Sequence, residues 1–548
     1  MKQKIYYLIA LCFAVSTVTY AQNEEPIVIE TIDQTLGNLP EFSVFNRLVE
    51  ACNLKPELSK YIDQVYEEAV LSGRVRDLPR HPSEQIGTLP YHRLYGYTIF
   101  AEPDAVWEAA LGKNAAAITV ADVKNYLVNK GLYPQGTQDD NYANENNIVN
   151  LFTTYHILPE RLTPAKLVIH YNELGYDFRS TSGAFTIPVE EFYTTLGQPR
   201  LLKIYESRES NGIYLNRFPV LRNGRGQFIA EGLNDYHESG EFKATIGNKL
   251  TAEENAGILV WQQGMERPES YLQANGIIYS IPQLLAYTEN IQNQLGNQRL
   301  RFDIASLLPE MMNNDIRCPM AQYWTGSTTT RGFPVSREYP YFENLDIADG
   351  SQFYYFSGYN RGWSNYQGDE FNVVGRYEFT LKLPPVPVDG TYELRLGVSS
   401  GSTVRGIAQF SFGADKEHLV ATELPIDMRI GGKYKRIRTG NVTSTIGWEA
   451  DTKDELYNRL VDLRLHEQGF LKGPNSHAAG MGSSAPSLRT AEHHLRRIVW
   501  KGMLEAGKTY YLHVKNCMDD TELQFYMDYM EWCPKNVYDN PITPEDIW

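Results

Sequence analysis

The chain has 548 residues, of which 42% are hydrophobic and 22% charged, and a formal net charge of -16. This length and composition exclude a disordered tail or a disulfide-held miniprotein and predict two or more ordinary domains. The excess of acidic residues argues against nucleic acid and anionic lipid surfaces as partners, because both require a basic footprint.

The first 21 residues have the pattern of a secretory signal peptide. Lys2 and Lys4 precede an apolar run over residues 5–18, and small residues precede a predicted cleavage after Ala21. The run spans about 14 residues, whereas a membrane-spanning helix needs about 20. A lipoprotein acylated at Cys12 fits less well, because the bulky Leu11 precedes the cysteine. We therefore expect an exported cell-envelope protein, in the periplasm or at the outer-membrane surface, with no integral membrane span.

Four cysteines follow the leader, and their three fully paired connectivities stay open. They are Cys52, Cys318, Cys517 and Cys533. If residues 508–517 and 523–533 form a hairpin, Cys517 and Cys533 lie too far apart along the strands for a disulfide.

No cysteine or histidine spacing is typical of a zinc site, so the sequence predicts no metal. We expect the C-terminal histidines to be solvated surface residues. They are His466, His477, His493 and His494.

Helical and strand patterns alternate over residues 31–287 and predict a mixed α/β domain. Two apolar sets recur at helical spacing, and short strands are predicted over residues 201–205 and 212–216. The helical sets are Phe42, Phe45, Leu48 and Val49, and Val120, Val123, Tyr126 and Leu127. A polar, partly helical connector is predicted for residues 288–317.

Apolar residues alternate with polar ones in three later segments, residues 377–383, 392–398 and 523–529. Repeated half-buried strands of this kind predict an antiparallel, jelly-roll-like β-sandwich over residues 318–548, so that the fold class is α+β. The glycine- and serine-rich residues 473–484 predict a long mobile loop.

Residues 353–366 read FYYFSGYNRGWSNY and carry the densest run of aromatic side chains. Aromatic rings stack on the apolar faces of sugars, while neighbouring amides and guanidiniums bind hydroxyl groups. We expect Tyr354 and Phe356 to be core residues of a strand. The candidate glycan-binding residues are Tyr359, Arg361, Trp363 and Tyr366.

Three segments of the first half resemble the fasciclin-like domain, in order and in role. They are residues 97–107 (YTIFAEPDAVW), 151–163 (LFTTYHILPERLT) and 275–281 (NGIIYSI). Residues 38–48 resemble the entry helix of that family, whereas Glu102-Pro103 departs from its usual Pro-Thr, and insertions are expected between residues 171 and 274.

The resemblance implies an adhesive or a structural role for four motif residues. They are Asp104, Tyr155, His156 and Asn275. We expect His156 to satisfy a buried hydrogen bond.

The second half is similar to the β-sandwich that follows fasciclin-like domains in exported proteins of gut-type Gram-negative bacteria. Residues 496–499 (RRIV) and 525–535 (FYMDYMEWCPK) carry this similarity. It implies a carbohydrate-binding module that accompanies an outer-membrane glycan-uptake system, and hence a glycan or an envelope protein as the partner.

No sequence motif of a serine, cysteine, zinc or phosphate-loop enzyme is present, and no cofactor is predicted. The sequence favours non-catalytic binding or adhesion. A protein-docking module with the sandwich as a spacer is the alternative. A glycan hydrolase remains a third reading, because its paired carboxylates need be close only in space.

Overall fold

A computed structural model shows helices and short sheets in the first half of the chain and longer antiparallel sheets in the second. The structure describes residues 30–75, 92–164, 166–169, 190–207, 210, 212–218, 221–222, 228–229, 233–236, 242–244, 255–262, 265, 272–317, 329–333, 335–357, 366–400, 402–432, 434–435, 442–443, 446–474 and 488–539.

Several of the helices begin after a residue whose side chain caps a free backbone N–H group. Thr119, Asn147 and Asp454 accept such hydrogen bonds through their side chains. The helices are α1 (Ile32–Asn38), α2 (Ser43–Ala51), α3 (Lys55–Leu58), α4 (Gln64–Leu71), α5 (Asp104–Leu111), α6 (Val120–Asn129), α7 (Ile148–Tyr155), α8 (Glu289–Gly296), α9 (Pro309–Asn313), α10 (Glu455–Glu467) and α11 (Lys535–Tyr538). Within the described ranges, no helix has the length and apolar character to cross a membrane.

The first half holds two four-stranded sheets. Their orders are β11-β12-β1-β2 and β10-β5-β4-β3, and β1 runs parallel to β12. The strands are β1 (Tyr97–Ala101), β2 (Ile157–Leu158), β3 (Glu190–Thr194), β4 (Leu201–Ser207), β5 (Gly212–Leu215), β6 (Leu221–Arg222), β7 (Phe228–Ile229), β8 (Leu233–Tyr236), β9 (Phe242–Ala244), β10 (Ile258–Gln262), β11 (Leu272–Gln273) and β12 (Gly276–Ser280).

Three larger antiparallel sheets follow. Their orders are β13-β29-β19-β26-β25, β14-β16-β17-β28 and β15-β18-β27-β20-β21, with β22 paired to β20. The strands are β13 (Leu300–Asp303), β14 (Thr329–Phe333), β15 (Leu345–Ile347), β16 (Ser351–Ser357), β17 (Asp369–Gly375), β18 (Glu378–Leu383), β19 (Gly390–Ser399), β20 (Ile407–Gly413), β21 (Val420–Ala421), β22 (Ile426–Asp427), β23 (Tyr434–Lys435), β24 (Val442–Thr443), β25 (Phe470–Lys472), β26 (His494–Leu504), β27 (Tyr510–Asn516), β28 (Gln524–Met527) and β29 (Tyr529–Pro534).

The sheet that contains β18 and β20 packs against both other large sheets. Phe525 of β28 contacts Phe379 and Phe410, with ring centroids 5.5 and 6.1 Å apart. Phe412 contacts Trp532 of β29, at 6.3 Å. This face-to-face packing of antiparallel sheets is a sandwich-like arrangement. The mixed α/β character and the antiparallel sheets agree with the predicted fold class, while the fasciclin-like and jelly-roll topologies stay predictions.

The segments predicted at helical spacing form α2 and α6, and the two short strands predicted in the first half form β4 and β5. Strand β18 confirms the alternation predicted for residues 377–383, because Phe379, Leu381 and Leu383 are buried and the residues between them are half-buried.

The alternation predicted for β19 is wrong in one respect. Glu393 and Arg395, which the pattern assigns to an outer face, are 1% and 0% exposed. Strand β19 lies between β26 and β29 in the centre of its sheet, and both of its faces are covered. The two charges are tolerated because they bind one another, with Arg395 Nη2 2.7 Å from Glu393 Oε2.

The predicted hairpin of residues 508–517 and 523–533 does not form. Strand β27 pairs with β18 and β20, whereas β28 pairs with β17, in another sheet. The segment predicted as one strand over residues 523–529 is divided at Asp528, where the chain passes from the sheet of β17 to that of β19. The backbone at Asp528 bonds Gly397 O and Ile304 N at this crossing.

Thr31–Trp548 forms one compact unit. The predicted connector, residues 288–317, is partly helical as expected but also supplies β13, which pairs with β29. The connector therefore shares a sheet with strands of the second half, while the predicted division into residues 31–287 and 318–548 stays a prediction.

Candidate functional site

His156 and Glu102 form a buried pair at the end of α7. His156 Nδ1 donates to Phe152 O at 2.8 Å, and Nε2 lies 2.8 Å from Glu102 Oε1. Neither side chain is exposed to solvent. The same Glu102 oxygen accepts the Leu285 backbone N–H, at 2.9 Å. The pair therefore joins α7 to the turn after β1 and to the chain after β12, and His156 satisfies buried hydrogen bonds as expected.

Tyr155, the other half of the Tyr-His motif, connects α7 to the β4–β5 hairpin. Its hydroxyl donates to Leu201 O at 3.2 Å and accepts from Asn216 Nδ2 at 3.0 Å. Burial raises the pKa of Tyr155 well above its usual value, so the hydroxyl stays protonated at neutral pH.

Asp104 and Asn275 fix the entry helices. Asp104, the first residue of α5, accepts from Ser43 Oγ and Val44 N at 2.6 and 2.9 Å. Asn275 accepts from Ile32 N and donates to Leu58 O and to the carbonyl of Lys60, at 2.8, 2.7 and 2.7 Å. All four motif residues thus make hydrogen bonds between elements of the first half, and their adhesive or structural role stays a prediction.

The aromatic segment begins in a strand whose side chains are core. Tyr354 and Phe356 of β16 are 1% and 2% exposed, as predicted. Tyr359, Arg361 and Trp363 lie outside the described residues, so their assignment as glycan ligands stays a prediction.

Tyr366, the fourth candidate, is covered. Its ring centroid lies 5.0 Å from that of Tyr529, and the Arg301 guanidinium lies 5.4 Å above it. The side chain is 6% exposed, so in this arrangement its ring is not presented to a sugar. The chain returns here to the sheet, and an aromatic ring at that position packs inward.

The described residues that flank positions 358–365 lie at one end of the β16–β17 pair. Ser357, the last residue of β16, is directly opposite Asp369, the first residue of β17. Tyr355 Oη donates to Asp369 Oδ2 at 2.6 Å, and Tyr366 N donates to Asp528 Oδ2 at 3.2 Å. The two ends of the aromatic segment are thus held by buried aspartates.

These aspartates belong to a cluster that joins three strands. Asp303 ends β13, Asp369 begins β17, and Asp528 separates β28 from β29. One carboxylate oxygen from each lies within 4.8 Å of those of the other two. The three residues are 1–2% exposed.

The cluster carries more negative than positive charge among its described contacts. Arg317 Nη2 lies 3.6 Å from Asp303 Oδ2 and 3.8 Å from Glu191 Oε1, so one guanidinium serves both acids. Gln367 bridges Arg317 and Glu191, donating to the latter at 2.6 Å.

Burial raises the pKa of all three aspartates, and mutual repulsion adds to this for Asp369 and Asp528. Arg317 opposes the effect at Asp303 and Asp369. Asp303 and Asp369 are close enough to hydrogen-bond through a shared proton.

This cluster was not predicted from the sequence, because its members are distant along the chain and form no motif. Asp528 gave the one local signal, since it is an acidic residue within the apolar run FYMDYM. Strand pairing brings the three together, and pairing cannot be read from isolated segments.

The prediction for the C-terminal histidines is partly wrong. His494 is buried, and burial lowers its pKa well below the usual value. His466 Nε2 lies 2.9 Å from Glu393 Oε1 and is half-buried. His493 lies beside His494, with ring centroids 4.3 Å apart, and His477 is outside the described residues. Their strands and helix pack against the core, which the local sequence does not indicate.

No protein-family model and no curated protein sequence matches the chain. Among solved structures, the chain is similar to the K1 cleaved adhesin domain of Lys-gingipain (Kgp) from Porphyromonas gingivalis W83. The match has 14% identity and a TM-score of 0.18, and it covers 38% of this chain and 99% of that one. A TM-score this low establishes neither fold nor function, and the fasciclin-like family remains a prediction from the sequence.

Proposed function

We propose that the protein is an exported, non-catalytic binding protein of the cell envelope, and that Tyr359, Arg361 and Trp363 of its second half capture a glycan. An accessory role beside an outer-membrane uptake system is part of this proposal.

The observation that carries the proposal is that Tyr355 and Tyr366, at the two sides of the candidate residues, are held by buried aspartates. The β16–β17 register places Ser357 opposite Asp369, so the strands on either side of the candidate residues pair directly with one another. A rigid scaffold that supports a short connection rich in aromatic, amide and guanidinium groups is a common basis for ligand recognition. Trp363 and Tyr359 supply the stacking faces in this proposal, and Arg361 binds hydroxyl or acidic groups.

A non-catalytic role is favoured by the positions of the described candidates for acid-base chemistry. His156 is fully buried with both ring nitrogens engaged. Asp303, Asp369 and Asp528 bring carboxylates near the roughly 5 Å spacing of a retaining glycosidase. Their exposure of 1–2% leaves no opening for a sugar ring among the described residues.

The test uses the full chain and a panel of plant and host glycans, followed by calorimetric titration of any ligand found. Trp363→Ala is expected to weaken binding by about 1–3 kcal/mol, in analogy to the loss of an aromatic ring that stacks on a nucleobase. The melting temperature should change little. Tyr457→Ala, which removes a half-buried ring on α10, is the matched control and should leave affinity unchanged.

Three other results would redirect the proposal. A large fall in melting temperature with Trp363→Ala would show that this ring is part of the core. Release of reducing sugar by the wild-type chain would favour the hydrolase. If no glycan binds, capture of an envelope protein by the first half becomes the working hypothesis.

A further inference from the structure

In each of Asp303, Asp369 and Asp528, one carboxylate oxygen accepts a hydrogen bond and the other does not. Asp303 Oδ1 accepts from Ala305 N at 2.6 Å, while Tyr355 Oη and Tyr366 N occupy Asp369 Oδ2 and Asp528 Oδ2. The remaining oxygens, Asp303 Oδ2, Asp369 Oδ1 and Asp528 Oδ1, are buried and have no hydrogen-bond donor among the described residues. Orphaned buried oxygens on three adjacent carboxylates are an arrangement that a cation satisfies.

The charge of the cluster also favours a bound cation. Arg317 approaches Asp303 Oδ2 at 3.6 Å but is also within 3.8 Å of Glu191, so it cannot neutralise three aspartates. Buried carboxylates without sufficient countercharge either take up protons or bind metal.

The spacing of the cluster suits a calcium ion. Ca²⁺ binds oxygen ligands at about 2.3–2.6 Å in a flexible geometry. One carboxylate oxygen from each aspartate lies within 4.8 Å of the other two, which is within reach of one such ion. Calcium also accepts irregular sets of oxygen ligands, which three carboxylates from three strands provide.

We propose that Asp303, Asp369 and Asp528 bind one Ca²⁺ ion, which joins β13, β17 and the β28–β29 crossing. Tyr355 Oη and Tyr366 N bond two of the same aspartates, so the ion also holds these two residues in place. This inference stands apart from glycan capture, since it concerns calcium binding in the absence of any sugar.

The experiment titrates the EDTA-treated full chain with CaCl₂ at neutral pH and follows heat and melting temperature. We expect one ion per chain and a rise in melting temperature of about 2–3 °C at a hundredfold excess over Kd. MgCl₂ should give a smaller rise. Metal analysis of the untreated protein should find calcium near one equivalent.

Asp369→Asn and Asp528→Asn should abolish the calcium-dependent rise. Each should also raise the melting temperature of the calcium-free chain, because the amide can donate to a neighbouring carboxylate oxygen that lacks a donor, so misfolding is not confused with loss of the site. Asp519→Asn, an exposed acid paired with Arg376, is the control and should retain the full calcium response.

The proposal is overturned if the wild-type chain shows neither bound calcium nor a calcium-dependent shift, which would leave the cluster as a proton-sharing contact. It is equally overturned if both variants bind calcium like the wild type, since the ion would then lie elsewhere. A response to Mg²⁺ as large as that to Ca²⁺ would contradict the assignment of calcium.

Discussion

Glu531 of β29 is enclosed by four arginines in the interior of the second half. Arg301 Nε lies 2.8 Å from its Oε1, and the other three are within 3.5 Å of one of its oxygens. These three are Arg299, Arg395 and Arg496. Burial raises the pKa of Glu531, but the four guanidiniums outweigh it and lower that pKa to about 2. The carboxylate therefore stays ionised throughout the physiological range.

Glu531→Gln is expected to destabilise the chain by about 3–5 kcal/mol, because it leaves buried guanidiniums without their countercharge. Denaturant unfolding at pH 7 measures this loss. Glu505→Gln removes an exposed acid that pairs with Lys508 and should change stability by less than about 1 kcal/mol. Equal effects of the two substitutions would contradict the assigned role of Glu531.

Glu160 presents the opposite case, because burial raises its pKa to about 8 while Arg317 opposes the shift. The folded state then binds a proton that the unfolded state releases above about 4.5. Stability associated with this group is complete below pH 4.5 and falls as the pH rises toward 8.

Glu160→Gln mimics the protonated form, so it should flatten the decline in unfolding free energy between pH 5 and pH 8, by an amount on the order of a few kcal/mol. Urea unfolding across that range is the measurement. The idea fails if wild type and variant decline in parallel.

At the scale of single residues, burial was predicted correctly where it follows the apolar pattern of neighbouring residues. It was predicted wrongly for charged residues that are buried. Tyr354, Phe356 and His156 were correctly placed in the interior from their apolar neighbours. Glu393 and Arg395 were assigned to an outer face because charged residues usually mark one. Besides one another, they have partners on other strands and on α10, so only pairing reveals how fully the charges are satisfied.

Strand β19 provides a test at the scale of one element, because two of its glycines have different surroundings. A Cβ at Gly397 would overlap the Tyr529 ring, whereas one at Gly390 would meet Tyr392 at an ordinary 3.4 Å. The Tyr529 ring itself packs against Tyr366 and is 3% exposed, so it has little room to move.

Gly397→Ala should therefore destabilise the chain by about 1–3 kcal/mol, as overpacking of a filled core does. Gly390→Ala is the control within the same strand and should cost less than about 1 kcal/mol. Thermal melts compare the two variants, and a tolerated alanine at 397 would show that the ring is not fixed.

Elements whose apolar residues recur at a regular spacing were predicted from the sequence, whereas elements defined by strand pairing were not. Helices α2 and α6 and strand β18 follow directly from apolar spacing. The division at Asp528 was not predicted, because apolar and polar residues alternate over 523–529 as they would in a single strand. What divides them is the change of sheet, which depends on β17 and β19 and so on residues more than a hundred positions away.

At the scale of the whole molecule, Arg93 joins parts of the chain that the sequence assigned to different domains. Its guanidinium lies 2.6 Å from Asp63 and 2.8 Å from Glu310, and Nε donates to Tyr341 O at 2.7 Å. These contacts are distant along the chain and form no motif, whereas the composition of residues 288–317 indicates a boundary. Because Thr31–Trp548 is one compact unit, we expect it to unfold cooperatively.

Calorimetry of the full chain should accordingly show one transition whose van't Hoff and calorimetric enthalpies agree. Arg93→Ala should lower stability by about 3–5 kcal/mol, because Glu310 stays buried without its partner, and should split or broaden the transition. Arg74 also reaches the second half, at Tyr339, but is exposed, so Arg74→Ala should preserve one sharp transition. Two well-separated transitions in the wild type would mean that the halves unfold independently, and Arg93 would then be a local contact.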